Sequence, residues 1–388
     1  MTDTQKFVAK TYAGLEEILK EELEQLGAQN CHIGTRAVEF EGDMAMMYRA
    51  NYFCRFALRI LWQVHQFAFR DNKQFYEQIY KYPAEKIMSP DGTLAFSVTM
   101  SSDMFKTPLF AAQLAKDAVC DRFREKFDRR PSVNKDNPDV QFHIHIYNNN
   151  AALFLDSSGE SLHKRGYRIA SHPAQISEVV AAAMVKLSGW QADCDLIDPM
   201  CGSGTILIEA AMQALNIPAG FFRYNYGFFR WSNFDKKLWN RITDEADIQD
   251  DVPLDFYGSD ISARFVESAR KNVTEARLAN FIHISQEAMR NTSPRRTPAF
   301  VIFNPPYGER LEIDDIAEFY QEIGNVLKQN YSGCTAFIIS SNLQALKSIG
   351  LHPSRKITLF NGQLECKFMR FDLYAGSKKY ASPPTNKR

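Results

Sequence analysis

No stretch of this 388-residue chain approaches the roughly 18–20 consecutive apolar residues of a bilayer-crossing helix, so no transmembrane helix is expected. Its first residues, Met1-Thr2-Asp3-Thr4-Gln5-Lys6, lack the apolar core of an export signal. Cysteine is sparse and unpatterned: Cys31, Cys54, Cys120, Cys194, Cys201, Cys334 and Cys366 form no Cys-x-x-Cys pair. With an odd, unspaced set and no export signal, reduced thiols are the simplest reading, which points to a cytoplasmic location. The histidines do not cluster either. His143 and His145 are the one close pair, in a strand-like run, so no metal site is expected. Net charge is also missing, since 46 basic residues balance 46 acidic ones. What is present is ordinary globular material, 45% hydrophobic and 13% aromatic, which excludes disorder as the main state. The length exceeds what one core holds and implies two or three domains.

The charge is unevenly placed. Residues 1–43 hold 4 basic and 9 acidic side chains, whereas residues 44–135 hold 15 basic and 9 acidic. A basic middle segment in a neutral chain suits an acidic partner such as nucleic acid, although a solvated helix face explains it equally.

Residues 1–60 read as a small module of mixed sheet. Phe7–Tyr12, Val38–Phe40 and Phe56–Val64 are strand-like, and Leu15, Ile18, Leu19, Leu23 and Leu26 recur at helical spacing. Residues 61–156 form a second α+β module. It has a strand at Thr93–Met100, a helix at Leu109–Phe127 and a hairpin of Val140–Tyr147 with Ala151–Leu155. From residue 157 to 388 helix and strand alternate, the mark of a parallel α/β sheet. The chain closes on two strand runs around Asn361-Gly362, the strongest short hairpin signal. The polar tail Gly376–Arg388 is expected to be mobile.

Three motifs sit at expected strand ends. Asp198-Pro199-Met200-Cys201-Gly202-Ser203-Gly204-Thr205 joins a strand to a helix N-terminus, and its glycines admit a ligand to the backbone. It is not a dinucleotide fingerprint, because Leu207 stands where the third glycine belongs. Asp260 ends the next strand, where a carboxylate accepts both ribose hydroxyls of a nucleoside. It lies 58 residues past Gly202, and an insertion at 217–253 accounts for the excess. Asn304-Pro305-Pro306-Tyr307-Gly308 follows a third strand. It offers an amide oxygen, a carbonyl and a flat ring, which suit a planar base carrying an exocyclic amino group. The insertion packs nine aromatics into the nineteen residues Phe221–Trp239, among Arg223, Arg230, Lys236 and Lys237. Such rings stack bases or pack a domain, and packing is expected to take the larger share.

Asp198–Thr205 together with Asn304–Tyr307 resembles the first and fourth motifs of S-adenosylmethionine-dependent amino-methyltransferases. Asn304 through Leu311 (Asn-Pro-Pro-Tyr-Gly-Glu-Arg-Leu) and Gly159 through Arg168 (Gly-Glu-Ser-Leu-His-Lys-Arg-Gly-Tyr-Arg) narrow this to THUMP-domain RNA methyltransferases. Within them, the chain is most similar to bacterial 23S rRNA guanine-N2 methyltransferases. The resemblance covers nearly the whole chain, including Thr11, Gly14, Leu15 and Glu16. It implies a ferredoxin-like module at 1–60, a THUMP module at 61–156 and a Rossmann-like methyltransferase domain at 157–388. That domain would be a parallel sheet with an antiparallel C-terminal hairpin.

The same resemblance implies S-adenosyl-L-methionine as cofactor. Ile176, Ser177, Asp198, Pro199, Gly202, Gly204, Thr205, Asp260 and Ile261 would hold it, with Gln286 or Glu287 reading adenine in place of the usual acidic residue. Asn304, Pro305, Pro306 and Tyr307 would carry catalysis. Lys116, Arg122, Arg124, Lys126, Arg129 and Arg130, with Lys164, Arg165 and Arg168, are the candidate RNA contacts, although a helix dipole also favours cations at that helix end. The substrate the resemblance implies is structured RNA, rRNA before tRNA. Adenine or glutamine methylation by the same motif, or a non-catalytic RNA-binding assembly factor, are the rival readings.

Overall fold

The computed structural model describes residues 4–170, 175–307 and 315–375. Residues 308–311 of the last motif and the tail from Gly376 lie outside the described residues. The chain divides into two compact units, Met1–Gly166 with Asn216–Gln249, and Tyr167–Leu215 with Asp250–Arg388. No helix among the described residues is long and apolar enough to cross a membrane.

In chain order the first unit contains β1 (Gln5–Lys10), α1 (Glu16–Gln25), β2 (Gln29–Gly34), β3 (Ala37–Gly42), α2 (Met44–Phe53) and β4 (Arg59–Ala68). There follow α3 (Asn72–Lys81), β5 (Thr93–Ser101), α4 (Pro108–Phe127), β6 (Ser132–Val133), β7 (Val140–Tyr147) and β8 (Asn150–Asp156). All eight strands join one sheet, in the order β2-β3-β1-β4-β8-β7-β5-β6. The expected border between residues 60 and 61 falls inside β4. This strand pairs antiparallel with β1 on one side and β8 on the other, so the two expected modules share a sheet.

Cross-strand register sorts the two faces. Phe40, Phe7, Trp62, Leu155, Phe142 and Phe96 follow one another across six strands on one face. The opposite face runs Glu41, Lys6, Gln63, Phe154, His143 and Ser97. Alternation along β7 buries Val140, Phe142, Ile144 and Ile146 and leaves His145 and Tyr147 exposed. The apolar face therefore carries the core. The helix α3 escaped the sequence reading, yet its signals are local. Asp71 caps it by accepting from the Gln74 N–H at 2.8 Å, and Phe75 and Ile79 are fully buried. Burial of each such side chain stabilises by about 1.5–3 kcal/mol.

The second unit begins with α5 (Glu178–Ser188), β9 (Leu196–Asp198) and α6 (Thr205–Ala214). The chain then returns to the first unit for residues 216–249, which include α7 (Lys236–Thr243). This revises the placement of the aromatic insertion within the methyltransferase domain. Its rings close on α2 and β4: Tyr48 lies 4.7 Å from Phe228 and 5.8 Å from Trp239, and Trp62 lies 6.0 Å from Trp231. Phe228, Tyr226 and Trp231 are buried, so packing consumes most of the aromatic surface, while Tyr224 stays 82% exposed.

The second unit resumes with β10 (Phe256–Asp260), α8 (Ala263–Glu275), β11 (Ile282–Gln286), β12 (Phe300–Phe303), α9 (Ile316–Asn330), β13 (Thr335–Ser340), α10 (Leu343–Ser348), β14 (Arg355–Asn361) and β15 (Leu364–Asp372). The sheet order is β11-β10-β9-β12-β13-β15-β14. The first five strands are parallel, and β15 runs antiparallel to both β13 and β14. The order reverses at β9 and β12, so the crevice outside their carboxyl ends is the expected ligand site of an open α/β sheet. Ile197, Val301, Phe303, Ile338, Tyr320, Ile323 and Leu327 form the core beneath α9.

Candidate active site

All three motifs of the second unit meet at that sheet edge. Val301 pairs with Ile197, which places Asp198 beside Ile302, and Asn304 follows on the same edge. Asp198 is 1% exposed, and its Oδ1 accepts from the Met200 N–H at 3.2 Å. Burial pushes its carboxyl well above the ordinary range, and the Asp260 charge adds to the push. Asp260 joins two turns. Its Oδ2 accepts from Gly202 N at 3.1 Å, and its Oδ1 from Ser262 N at 2.9 Å. Gly202 (φ +53°) and Gly204 (φ +80°) occupy the left-handed region, and a Cβ on Gly202 would meet nothing within 4 Å. The backbone there faces open space, as a ligand requires. Pro199 is fixed by the Ser259 hydroxyl, which donates to its carbonyl at 3.3 Å.

Ile176 and Ser177 precede α5 rather than lie within it. Ile176 is buried, and the Ser177 hydroxyl oxygen is buried with no hydrogen-bond partner among the described residues. Ile261, just past β10, is 70% exposed and offers a flat apolar surface. Gln286 is exposed and donates its amide N–H to the Ile261 carbonyl at 3.3 Å, which turns its oxygen free to accept elsewhere. Glu287 is half-buried, and its N–H donates to the Asp260 carbonyl at 3.1 Å. An unsatisfied hydroxyl, a buried carboxylate with one backbone donor, and an open glycine turn fit a cationic amino-acid head joined to a nucleoside.

The turn after β12 is braced from two sides. The Tyr320 hydroxyl of α9 donates to the Pro306 carbonyl at 3.3 Å, and Asn342 Nδ2 donates to the Tyr307 carbonyl at 3.2 Å. Tyr307 in turn donates its hydroxyl to Asn304 Oδ1. Pro305 is buried. Sequence reasoning missed Tyr320 and Asn342. The signal for Asn342 was its place two residues beyond the β13 strand, at the same carboxyl edge. Tyr320 lies in the middle of a helix and carried no local signal.

The structure also corrects several RNA contacts. Arg168 turns inward: it donates to Thr205 Oγ1 at 2.9 Å and to the Ile176 carbonyl at 3.1 Å, and pairs with Glu178 at 3.0 Å. It braces the first motif and the approach to α5, and it uses up the Thr205 hydroxyl, which is itself buried. Arg165 is 1% exposed and donates to the carbonyls of Leu162 and Arg55, so it holds a loop and cannot reach a phosphate. Arg122 forms a bidentate pair with Glu85 at 2.7 and 2.6 Å with only 14% of its side chain exposed. Lys126 pairs with the same carboxylate. Lys116 pairs with Asp117, Arg124 with Asp121, Arg129 with Asp91 and Lys164 with Glu160. Arg130 is exposed. The sequence could not supply the partners of Arg122 and Arg129, because Glu85 and Asp91 lie 37 and 38 residues away from them.

Comparison with known proteins decides the family. A family described as the RMKL-like methyltransferase domain matches residues 165–370. The chain belongs to this family. An RlmL ferredoxin-like domain matches residues 6–61, and a THUMP domain matches residues 69–156. A Synechocystis sp. protein provisionally named an RNA methyltransferase is 35% identical over 96% of this chain and 97% of its own length. Ribosomal RNA large subunit methyltransferase K/L of Desulfotalea psychrophila is 38% identical over 94% of this chain. The chain spans about half of that relative, 52%. Among solved structures, SMU.472, provisionally named a methyltransferase and complexed with SAH, superposes with a TM-score of 0.84. That pair is 30% identical, covering 97% of this chain and 100% of the other. The RMKL-like methyltransferase is thus an α/β enzyme that carries ferredoxin-like and THUMP domains.

Proposed function

We propose that the chain transfers a methyl group from S-adenosyl-L-methionine to the exocyclic N2 of a guanine in RNA, with 23S rRNA as the substrate, in the cytoplasm. The observation that carries this reading is the braced turn at Asn304–Tyr307 on the same sheet edge as Asp198 and Asp260. With Tyr320 on the Pro306 carbonyl and Asn342 on the Tyr307 carbonyl, the turn keeps its shape before a base arrives. The Asn304 amide oxygen and the Pro305 carbonyl are then the acceptors assigned to the two amino hydrogens.

S-adenosyl-L-methionine supplies an electrophilic sulfonium methyl when bound. Asp198 would face its ammonium group, Gly202 and Gly204 would admit its methionine portion, and Ile176 and Ser177 would cover that end. Pro199 shapes the turn, and Thr205 acts through Arg168. Asp260 holds the ribose, Ile261 packs on the adenine, and Gln286, with its free amide oxygen, is preferred to Glu287 for the adenine amino group. A guanine inside folded RNA must leave its stack to reach such a site. Tyr307 swings its hydroxyl from Asn304 and presents its ring to the incoming base. Asn304 and Pro305 accept the amino hydrogens and draw the nitrogen lone pair toward the methyl. Alignment would account for most of the rate: the N–C bond forms as the C–S bond breaks with its electron pair leaving on sulfur, and the methylated amino group, now cationic and acidic, gives its extra proton to water, so no strong base is needed. Arg124, Arg129, Arg130 and Lys164 keep exposed charge and Lys116 is partly exposed, and these remain the phosphate contacts of this reading, with Arg124, Arg129, Lys116 and Lys164 exchanging carboxylate partners for phosphates.

The test is incubation of the purified chain with S-adenosyl-L-methionine and either unmodified large-subunit rRNA or tRNA, followed by nucleoside mass spectrometry. N2-methylguanosine in rRNA is expected. N6-methyladenosine, or methylation confined to tRNA, would replace the base or the substrate named here.

A further inference from the structure

Among the described residues, one face of the eight-stranded sheet of the first unit is polar and solvent-exposed along β5 and β7. On that face β7 presents Gln141, His143, His145 and Tyr147, and β5 beside it presents Ser97, Thr99 and Ser101. Across β8 and β4 the same face carries Phe154, Ala152, Gln63 and Gln66. Tyr147 is 60% exposed, and His145, Ser97, Thr99 and Ser101 are exposed as well. We propose that this face is a platform for single-stranded RNA, with successive bases stacked on His145 and Tyr147. The proposal rests on the RNA-substrate reading above and names where that substrate is gripped away from the reacting base.

Three features favour this occupant. Side chains two apart on a strand stand about 7 Å from one another on one face, close to the span of an extended nucleotide. Planar rings at that interval, on a central strand, are how a sheet surface stacks unpaired bases without reading sequence. His143 is oriented for the row: its Nδ1 lies 2.9 Å from Ser97 Oγ, and its ring lies 6.3 Å from Phe154. The flanking hydroxyls and amides can meet base edges and 2′-hydroxyls. The charge on the four strands nearest the rings does not oppose a polyanion: the carboxylate there is Asp156, buried and tied to Arg59, while Glu39 and Glu41 lie across β1 on β3 and Glu39 reaches His145. Burial lowers the pKa of both histidines, and the charge of Lys10, on the same side of β1, lowers them further. Neutral rings at pH 7 with a nearby ammonium suit stacking beside a phosphate.

The experiment uses the full chain and a fluorescein-labelled twelve-nucleotide oligoadenylate RNA, followed by anisotropy. Stacking is worth about 1–3 kcal/mol per base, or roughly five- to 150-fold in affinity. His145→Ala with Tyr147→Ala should therefore weaken binding at least about tenfold and leave calorimetric S-adenosyl-L-methionine affinity and the melting temperature unchanged. Leu109→Ala, a 63% exposed residue of the helical layer, should bind like the unaltered chain. Equal binding by the double variant and the unaltered chain overturns the platform while the RNA reading stands. No binding by the unaltered chain, to this probe or to folded rRNA, overturns both.

Discussion

Tyr320 and Pro306 are joined by a hydrogen bond from the buried phenol to the backbone carbonyl at 3.3 Å, across fourteen residues of chain. The same hydroxyl meets Ser340 Oγ at 2.8 Å, and Ser340 Oγ accepts from Asn342 N at 3.1 Å. Helix α9, the end of β13 and the Asn304–Tyr307 turn are therefore linked through polar groups inside an apolar core. Burial raises the Tyr320 phenol to about 12, so it stays a donor throughout the physiological range. Tyr320→Phe should lower kcat by about tenfold, the loss of one hydrogen bond that positions the turn, and should cost about 1 kcal/mol of stability. Steady-state kinetics, cofactor calorimetry and a thermal melt separate the roles. A lower melting temperature with unchanged kcat would make Tyr320 a packing residue only.

Asn304→Ala should abolish methyl transfer and leave cofactor affinity nearly unchanged, because Asn304 is assigned to the base. It also removes an acceptor of the Tyr307 hydroxyl. Single-turnover kinetics beside calorimetry provide the check. Retention of most of the turnover would remove Asn304 from the catalytic assignment.

Asp198 is held as a buried carboxylate with its pKa raised, chiefly by burial. Its folded pKa lies above its unfolded value, so its contribution to stability is complete below the unfolded pKa and declines as pH rises through the folded one. At pH 7, far above the unfolded pKa, this raised pKa therefore weighs against the cofactor-free protein. Asp198→Asn should raise the melting temperature of the cofactor-free protein at pH 7 while weakening cofactor binding at least about tenfold. For the unaltered protein, cofactor affinity should fall on acidification at a higher pH than an exposed aspartate would give. Differential scanning fluorimetry from pH 5 to 8, with and without cofactor, measures both. A destabilised Asp198→Asn protein with normal affinity would refute the assignment.

Arg122 and Glu85 are a structural pair in the first unit, and the Arg122 hydrogen bonds hold Glu85 at about 2, down from 4.5. This stabilisation is present above about 4.5 and is lost as pH falls toward 2. Arg122→Ala should cost about 2–3 kcal/mol at pH 7, and the gap to the unaltered protein should narrow below pH 4. Arg129→Glu with Arg130→Glu should instead leave stability alone and flatten the salt dependence of RNA binding, by roughly 0.7–0.9 per lost phosphate contact. Melting curves against pH and filter binding at several salt concentrations distinguish the two sets. An unchanged salt slope in the double variant would take this helix end out of the RNA interface.

Local chemistry settled a large part of this protein from the sequence alone. Strand–helix alternation, the Asp198–Thr205 turn, Asp260 and the Asn304–Tyr307 turn depend on residues within one or two turns of chain. Their periodicity and their glycines and prolines are therefore readable without a fold. Phe300–Phe303 and Thr335–Ser340 coincide with β12 and β13 for that reason. Tertiary structure decided what depends on distant partners. β4 serves both halves of one sheet because two separate strands compete for its two edges, and no local pattern in residues 56–68 records that. The aromatic insertion sits within the sequence span of the second unit yet packs in the first, where Tyr48 and Trp62 supply matching rings. The basic residues read as phosphate contacts were legible as charges, but whether each is spent inside the protein was not. Arg122 and Arg168 find carboxylates, and Arg165 carbonyls, only once the chain has folded, and only folding takes those groups out of water.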